Sequence, residues 1–331
     1  MRHDGLPATR HGLSRHGRGL PTLTSGVAVR LRGVEVEGLC SSRRLKVVGV
    51  FIFGFLGCVG DDAAMDALDV EDILSDALEI LGGERVKDPG YVQYGPLRLT
   101  VAPKDGKANT LLADHLFSPA LVLAELVERG VLPVAGRRII ELGAGCALPS
   151  LLAATIDPPP SLIVATDYPD DGILGNLKAN VDRNKPHYRP PCQVYGVGFE
   201  WGSDIAPLLH LPQRIDSTLP GYDIVIMSDL LHFDSSHGVL VLALSSLLAK
   251  SSQTRVYVAA GNYTAPHVCD NFLNLGTLAG LIWEEKTSDK SEQEETWMGS
   301  MIVSGLDTAQ LTTRKRACRW WIGRWSKKVL D

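Results

Sequence analysis

From about residue 90 onward, apolar positions fall into two alternating rhythms. Short, nearly continuous apolar runs at 138–142, 162–166, 192–197, 223–228 and 255–260 read as buried strands. Between them, apolar residues recur every three or four positions at 147–156, 170–184, 236–250 and 266–280, which reads as helix. Such alternation predicts an α/β fold, a parallel sheet with helices on both faces. Two late aromatic segments, at 282–285 and 318–322, would complete a mostly parallel seven-stranded sheet with an antiparallel edge.

Upstream, the pattern predicts a short helix over 70–81 that stops at Gly82-Gly83. Tyr91 to Tyr94 and Leu97 to Val101 form a hairpin turning near Gly95-Pro96. Leu112, Leu116, Leu121, Leu123, Ala124 and Leu126 place a helix over 109–130, ended by Gly130. The polar stretch from Thr287 to Glu295 reads as an exposed loop. No internal repeat is visible.

Composition adds boundaries. With 45% apolar residues in 331, the chain can bury a sizeable core, and a net charge of −5 makes no general case for nucleic acid or anionic membrane as partner. Cys40, Cys58, Cys146, Cys192, Cys269 and Cys318 form no C-x-x-C pair and have no histidines at zinc spacing. They read as scattered reduced thiols of a cytoplasmic protein, with no metal site. Arg314-Lys315-Arg316 reads as a solvated approach to the last aromatic strand rather than a nucleic-acid signal.

The beginning differs from the rest. Residues 1–60 hold nine of the 33 Lys/Arg but three of the 38 acids, leaving 24 against 35 elsewhere. The Gly/Arg/His-rich segment 1–44 reads as disordered. The apolar run from Val47 to Gly57 is shorter than the roughly 20 residues a membrane helix needs. Its length suits a signal-peptide core, although the n-region would be long, and the Arg-rich start also suits a transit peptide. Met65 opens an ordinary acidic helix start, so residues 1–64 are expected to be an extension without function. The expected organisation is 1–64 as that extension, 65–135 as a helix and hairpin segment packing on the core, and 136–326 as the core.

The candidate chemistry lies at the ends of two strands. Strand 138–142 ends in Glu141-Leu142 and breaks into Gly143-Ala144-Gly145; strand 162–166 is followed directly by Asp167. A glycine turn after one strand and a carboxylate after the next is how α/β folds hold a nucleoside. The dinucleotide fingerprint G-x-G-x-x-G/A fails at Leu148, and an acid two residues before the first glycine is atypical of it. This points away from an NAD-dependent oxidoreductase and toward S-adenosyl-L-methionine.

The stretch Glu141-Leu142-Gly143-Ala144-Gly145-Cys146-Ala147-Leu148-Pro149 resembles the ELGAGxGLP motif of the family 16 methyltransferases. That family contains protein lysine methyltransferases and fungal nicotinamide N-methyltransferase-like proteins. Further segments are similar to it: Ala165-Thr166-Asp167-Tyr168-Pro169-Asp170, Asn176-Leu177-Lys178-Ala179-Asn180, Glu200-Trp201-Gly202, Ser228-Asp229-Leu230-Leu231 and Gly261-Asn262-Tyr263-Thr264. The end of the chain, from Thr313 to Trp325, is similar to the fungal branch. The resemblance covers about Met65 to Trp325.

It implies a Rossmann-like class I methyltransferase fold and a set of roles. Gly143, Ala144 and Gly145 would line the methionine end of the cofactor, Glu141 would lie near its amino group, and Asp167 would grip the ribose. Trp201 would lie against the adenine, and Ser228 would border the cofactor through its backbone. Asp229 would orient the nitrogen that accepts the methyl group. Three positions depart from the family pattern. Phe117 stands for its usual Trp, Ala147 for the third motif glycine (a change that adds one methyl), and His232 for the aromatic expected three residues after Asp229. His232 is expected to wall the amine pocket and to be able to titrate near neutral pH.

Methyl transfer to nitrogen is an in-line displacement, so the protein's task is to align, desolvate and supply acceptors for the amine hydrogens. The expected activity is N-methylation of a protein lysine or N-terminal amine by a monomer, with a translation factor implied by the family alone as the partner. A small-molecule N-methyltransferase for nicotinamide-like amines is the alternative, as is an inactive binding protein of the same fold.

Overall fold

A computed structural model of the chain describes residues 90–104, 106–213, 220–286 and 296–331. The readings of 1–64, of helix 70–81 and of loop 287–295 lie outside the described residues.

Seven strands form one sheet in the order β5-β4-β3-β6-β7-β9-β8. They are β3 (Arg138–Leu142), β4 (Leu162–Asp167), β5 (Gln193–Gly198), β6 (Ile224–Ser228), β7 (Arg255–Gly261), β8 (Leu281–Glu285) and β9 (Cys318–Trp325). The first five pair in parallel; β9 pairs antiparallel with both β7 and β8. A separate hairpin joins β1 (Val92–Tyr94) to β2 (Leu97–Leu99) through Gly95 at φ 51°. This is the sheet read from the sequence, antiparallel edge included.

The strands sort their side chains by parity. Ile139, Ile163, Ala165, Ile224, Ile226 and Trp320 join one buried cluster; Ile140, Leu142, Leu162, Val164, Val225, Met227 and Trp321 join another. Both faces are therefore apolar, which is why these strands read as continuous runs rather than alternating ones. The first cluster is covered by α2 (Ser118–Glu128), α3 (Leu148–Ala153), α4 (Asp171–Asn184) and the hairpin's Tyr94, Leu97 and Leu99. The second is covered by α5 (Ala206–Gln213), α6 (His237–Leu247) and α7 (Pro266–Leu278).

Two helical readings need correction. The expected helix over 109–130 is two pieces, α1 (Gly106–Thr110) and α2. Leu112 turns left-handed at φ 57° and Phe117 is extended at ψ 154°, so the helix restarts at Ser118, with Pro119 in the first turn where its missing N–H costs no hydrogen bond. The expected helix 147–156 is only α3, because Ala147 sits at φ 63° and Pro158-Pro159-Pro160 follow closely. Three helices were not foreseen: α5, α8 (Thr308–Arg316) and the short helix at the end of the described chain. In α8, Leu311 is the one buried apolar side chain, so there is no apolar period to read. Its legible signal was the capping box between Asp307 and Gln310. Lastly comes α9 (Lys327–Leu330).

The basic run is also placed differently. Arg314 and Lys315 form the last turn of α8 and are 8% and 5% exposed, not solvated. Lys315 Nζ pairs with Glu125 of α2 at 2.7 Å and donates to the Thr296 carbonyl at 2.8 Å.

Candidate functional site

The chain leaves β3 in one direction to build β4 and β5, then crosses back to build β6 and β7 on the other side. Adjacent loops diverge at such a switch point, leaving a crevice beyond the strands' C-terminal ends. The structure has a cleft there of about 240 Å³. Its walls include Phe117, Gly143, Ala144, Gly145, Asp167, Trp201, Ser228, Asp229 and His232. Nine of the ten residues singled out from the sequence thus meet on one cavity. The tenth, Glu141, does not line it.

Glu141 is fully buried in β3, beneath the glycine turn and near Ser150 of α3 and Ser228. Burial pushes its carboxyl up to about 8, opposed by Ser150 and assisted by the charge of Asp167. The glycine turn lies above it. Gly143 and Gly145 take φ of 59° and 54°, and a Cβ on Gly145 would project into open space. Ala147 also takes a left-handed φ. Replacing the family's glycine there therefore adds backbone strain as well as a methyl, about 1 kcal/mol for a residue with a Cβ.

Asp167 ends β4 beside this turn. Its Oδ2 accepts the Gly145 N–H at 2.6 Å and its Oδ1 accepts the Tyr168 N–H at 2.7 Å. Burial raises its pKa, and these two backbone donors oppose the rise. A carboxylate has about four lone-pair directions, so two remain for a ligand. Across the cleft, Trp201 packs edge-on against Phe233, with ring centroids 5.6 Å apart. Phe117 precedes α2 and packs against His115 at 5.7 Å.

Asp229 follows β6 at φ 59°, a strained conformation for a residue with a side chain. It caps no helix. Its backbone N–H donates to Ala259 at 2.8 Å, its Oδ1 accepts the Gly261 N–H at 3.3 Å, and its Oδ2 accepts the Tyr263 hydroxyl. Sequence reasoning gave Tyr263 no role, although the segment that contains it stood out.

His232 lies against Phe233, with centroids 4.0 Å apart. Both ring nitrogens are covered by protein, and burial pushes the imidazole down to about 4. The expectation that it titrates near neutral pH is therefore corrected: it is neutral there. His237 begins α6 and is buried. Its Nε2–H donates to the Leu231 carbonyl at 2.8 Å and its Nδ1 accepts from Asn271 at 3.0 Å, tying the 229–236 loop to α7.

Among the described residues, the cleft's walls carry three carboxylates, Asp167, Glu200 and Asp229, and no Lys or Arg. Such a site favours a cationic or neutral amine-bearing ligand over an anionic one. Among the described residues there is no cluster of His, Cys, Asp and Glu able to hold a metal ion, and no helix is long and apolar enough to cross a membrane.

Comparison with known proteins follows the same direction. A family model described as lysine methyltransferase matches residues 106–271, half of the chain. Curated relatives include the protein N-terminal and lysine N-methyltransferase EFM7 of Gibberella zeae, 36% identical over 161 residues, which are 47% of this chain and 60% of that protein. The same-named protein of Eremothecium gossypii is 36% identical over 45% of this chain and 56% of its own length. The Schizosaccharomyces pombe relative is 27% identical over 56% of this chain and 73% of its own length. The chain thus spans less than two thirds of the length of several relatives it matches.

Proposed function

This chain belongs to the lysine methyltransferase family, and on that premise we propose that it is an S-adenosyl-L-methionine-dependent N-methyltransferase acting on a lysine side chain or N-terminal amine of a protein. The observation that carries the reading is the convergence of the glycine turn, Asp167 and Asp229 on one anionic cleft at the strand ends.

The residues present fit the cofactor. The open space over Gly145 leaves room for the methionine end, and any Cβ there would intrude. Asp167 retains acceptor capacity for two ribose hydroxyls, and Trp201 offers a flat apolar face for the base. Glu141 is buried behind the cleft wall, beside Ser150 and Ser228. When bound, S-adenosyl-L-methionine supplies an electrophilic methyl group on a sulfonium.

The chain's own residues then have three tasks. Asp229 accepts hydrogen bonds from the acceptor amine and orients its lone pair. Phe117, His232 and Phe233 exclude water, which favours the neutral amine that must attack. His232, being neutral, adds no positive charge to repel an ammonium. The carboxylate-lined cleft attracts a cationic acceptor and would stabilise the positive charge that develops on the accepting nitrogen.

The family's substrates support a protein acceptor, with a translation factor as the target class the resemblance implies. The protein is proposed to act as a monomer in the cytoplasm. The test is to give the full chain methyl-labelled S-adenosyl-L-methionine with either a cell lysate or nicotinamide, and Asp229→Ala as control. A labelled protein band that the control loses supports the reading. Label in nicotinamide alone moves it to small-molecule chemistry, and no label in either overturns it.

A further inference from the structure

We propose that Tyr263, seated on Gly261, is a positioning residue that fixes the Asp229 carboxylate for the incoming amine. The inference deepens the reading of Asp229 given above and rests on it. Its starting point is a backbone problem. Asp229 turns left-handed at φ 59° just past β6, so its side chain is not held by the strand. An aspartate in a loop would sample several rotamers, and a misplaced acceptor loses alignment with the reacting nitrogen.

The neighbouring strand supplies the restraint. The Gly261 N–H and the Tyr263 hydroxyl each donate to a different oxygen of Asp229, a fork that defines the carboxylate plane. The third bond, from the Asp229 N–H to Ala259, ties its backbone to the same strand. An independent observation concerns Gly261. A Cβ there would collide with the Cε1 and Cζ atoms of the Tyr263 ring. Those atoms belong to a rigid ring, so the ring folds back toward Asp229 only because residue 261 has no side chain. Gly261 thus serves twice, as donor and as seat.

The fork places one hydrogen bond on each oxygen of the carboxylate. Donors to a carboxylate favour its charged form, so removing one raises the carboxyl pKa. The other titratable groups on the cavity wall are Cys146, Asp167, Tyr168 and Glu200, with His115 from the segment before α2 and His232 from the Asp229 loop.

The test pairs a cofactor-free measurement with kinetics on the full chain. In Tyr263→Phe the ring remains and the hydroxyl is lost. Its Asp229 carboxyl, followed by carbon-13 NMR without cofactor or acceptor, is expected to titrate about one unit higher than in wild type. With cofactor and acceptor, kcat is expected to fall roughly ten- to hundredfold while KM for S-adenosyl-L-methionine stays unchanged. The acid limb of the pH profile moves up with the carboxyl. Gly261→Ala, which unseats the ring, is expected to reproduce the kcat loss, and the double variant to lose little more. An unmoved carboxyl and a kcat within twofold in Tyr263→Phe, with Asp229→Ala inactive, overturns the inference and leaves the functional reading standing. Transfer that survives Asp229→Ala overturns the functional reading instead, and the inference with it.

Discussion

Lys315→Met tests whether α8 is anchored by a buried ion pair. Lys315 and Glu125 are 5% and 0% exposed, and Nζ lies 2.7–2.8 Å from both carboxylate oxygens. Methionine fills much the same volume, so the substitution removes the charge without opening a cavity. What remains is a buried carboxylate. Glu125 keeps the Met298 N–H at 2.6 Å and a looser approach from Arg129 at 3.8 Å. The Thr296 carbonyl loses its ammonium donor.

Removing one partner of a buried pair costs about 3–5 kcal/mol, because the other charge is left uncompensated. Arg129 recovers part of this, so the lower end, about 3 kcal/mol, is expected. For a domain of this size each kcal/mol moves Tm by about 2–4 °C, giving a drop of about 6–12 °C by scanning calorimetry or circular dichroism. The second arm is Lys315→Met with Glu125→Leu. It removes both charges and leaves the Met298 N–H unpaired, which costs about 1–3 kcal/mol. The double variant is therefore expected to be at least as stable as Lys315→Met alone. A single variant within about 1 kcal/mol of wild type, or strictly additive losses, would refute the argument that this pair holds the helix.

Three further outcomes can be checked on the same protein. Asp167→Asn is expected to weaken S-adenosyl-L-methionine binding more than tenfold by calorimetry, since the amide offers one acceptor atom where the carboxylate offers two. His232→Phe is expected to flatten the acid side of the stability curve. The imidazole's folded pKa of about 4 lies below the unfolded value of 6.5, so the unfolded chain takes the proton first and wild type loses stability as pH falls from 6.5 to 4. At pH 5 the difference between variant and wild type should reach about 2 kcal/mol in favour of the variant relative to their difference at pH 8, and parallel curves would contradict it. Ala147→Gly is expected to raise stability by up to about 1 kcal/mol in urea unfolding, because the left-handed φ of 63° suits glycine; an unchanged midpoint would mean the strain is relaxed elsewhere.

The sheet was legible in the sequence because each central strand is apolar on both faces. A run such as Ile224-Val225-Ile226-Met227 admits few other readings once helical stretches lie on either side. The site was legible for a related reason. In a doubly wound sheet the functional residues follow strand ends, so chemistry that punctuates an apolar run marks its own location: the glycines after β3, Asp167 closing β4, Asp229 after β6. Helix α8 escaped because its single buried leucine leaves no apolar stripe, and α5 because Pro207 and Pro212 punctuate its short run of leucines.

A second class of feature was out of reach for a deeper reason. The burial of Lys315, the fall in basicity of His232 and the fork on Asp229 are all contacts between side chains brought together only by folding. Asp229 and Tyr263 are 34 residues apart, on loops after neighbouring strands, and no local pattern links them. The parallel register does. It pairs Ser228 with Ala259, so the residues that follow each strand emerge side by side. Once the strand order is known, the search for a partner to Asp229 narrows to the few positions after Ala259. Gly261 is then informative as the position where a ring must pass close to the backbone. The chemistry of the site is thus written along the chain, while its geometry is set by which strand ends are neighbours.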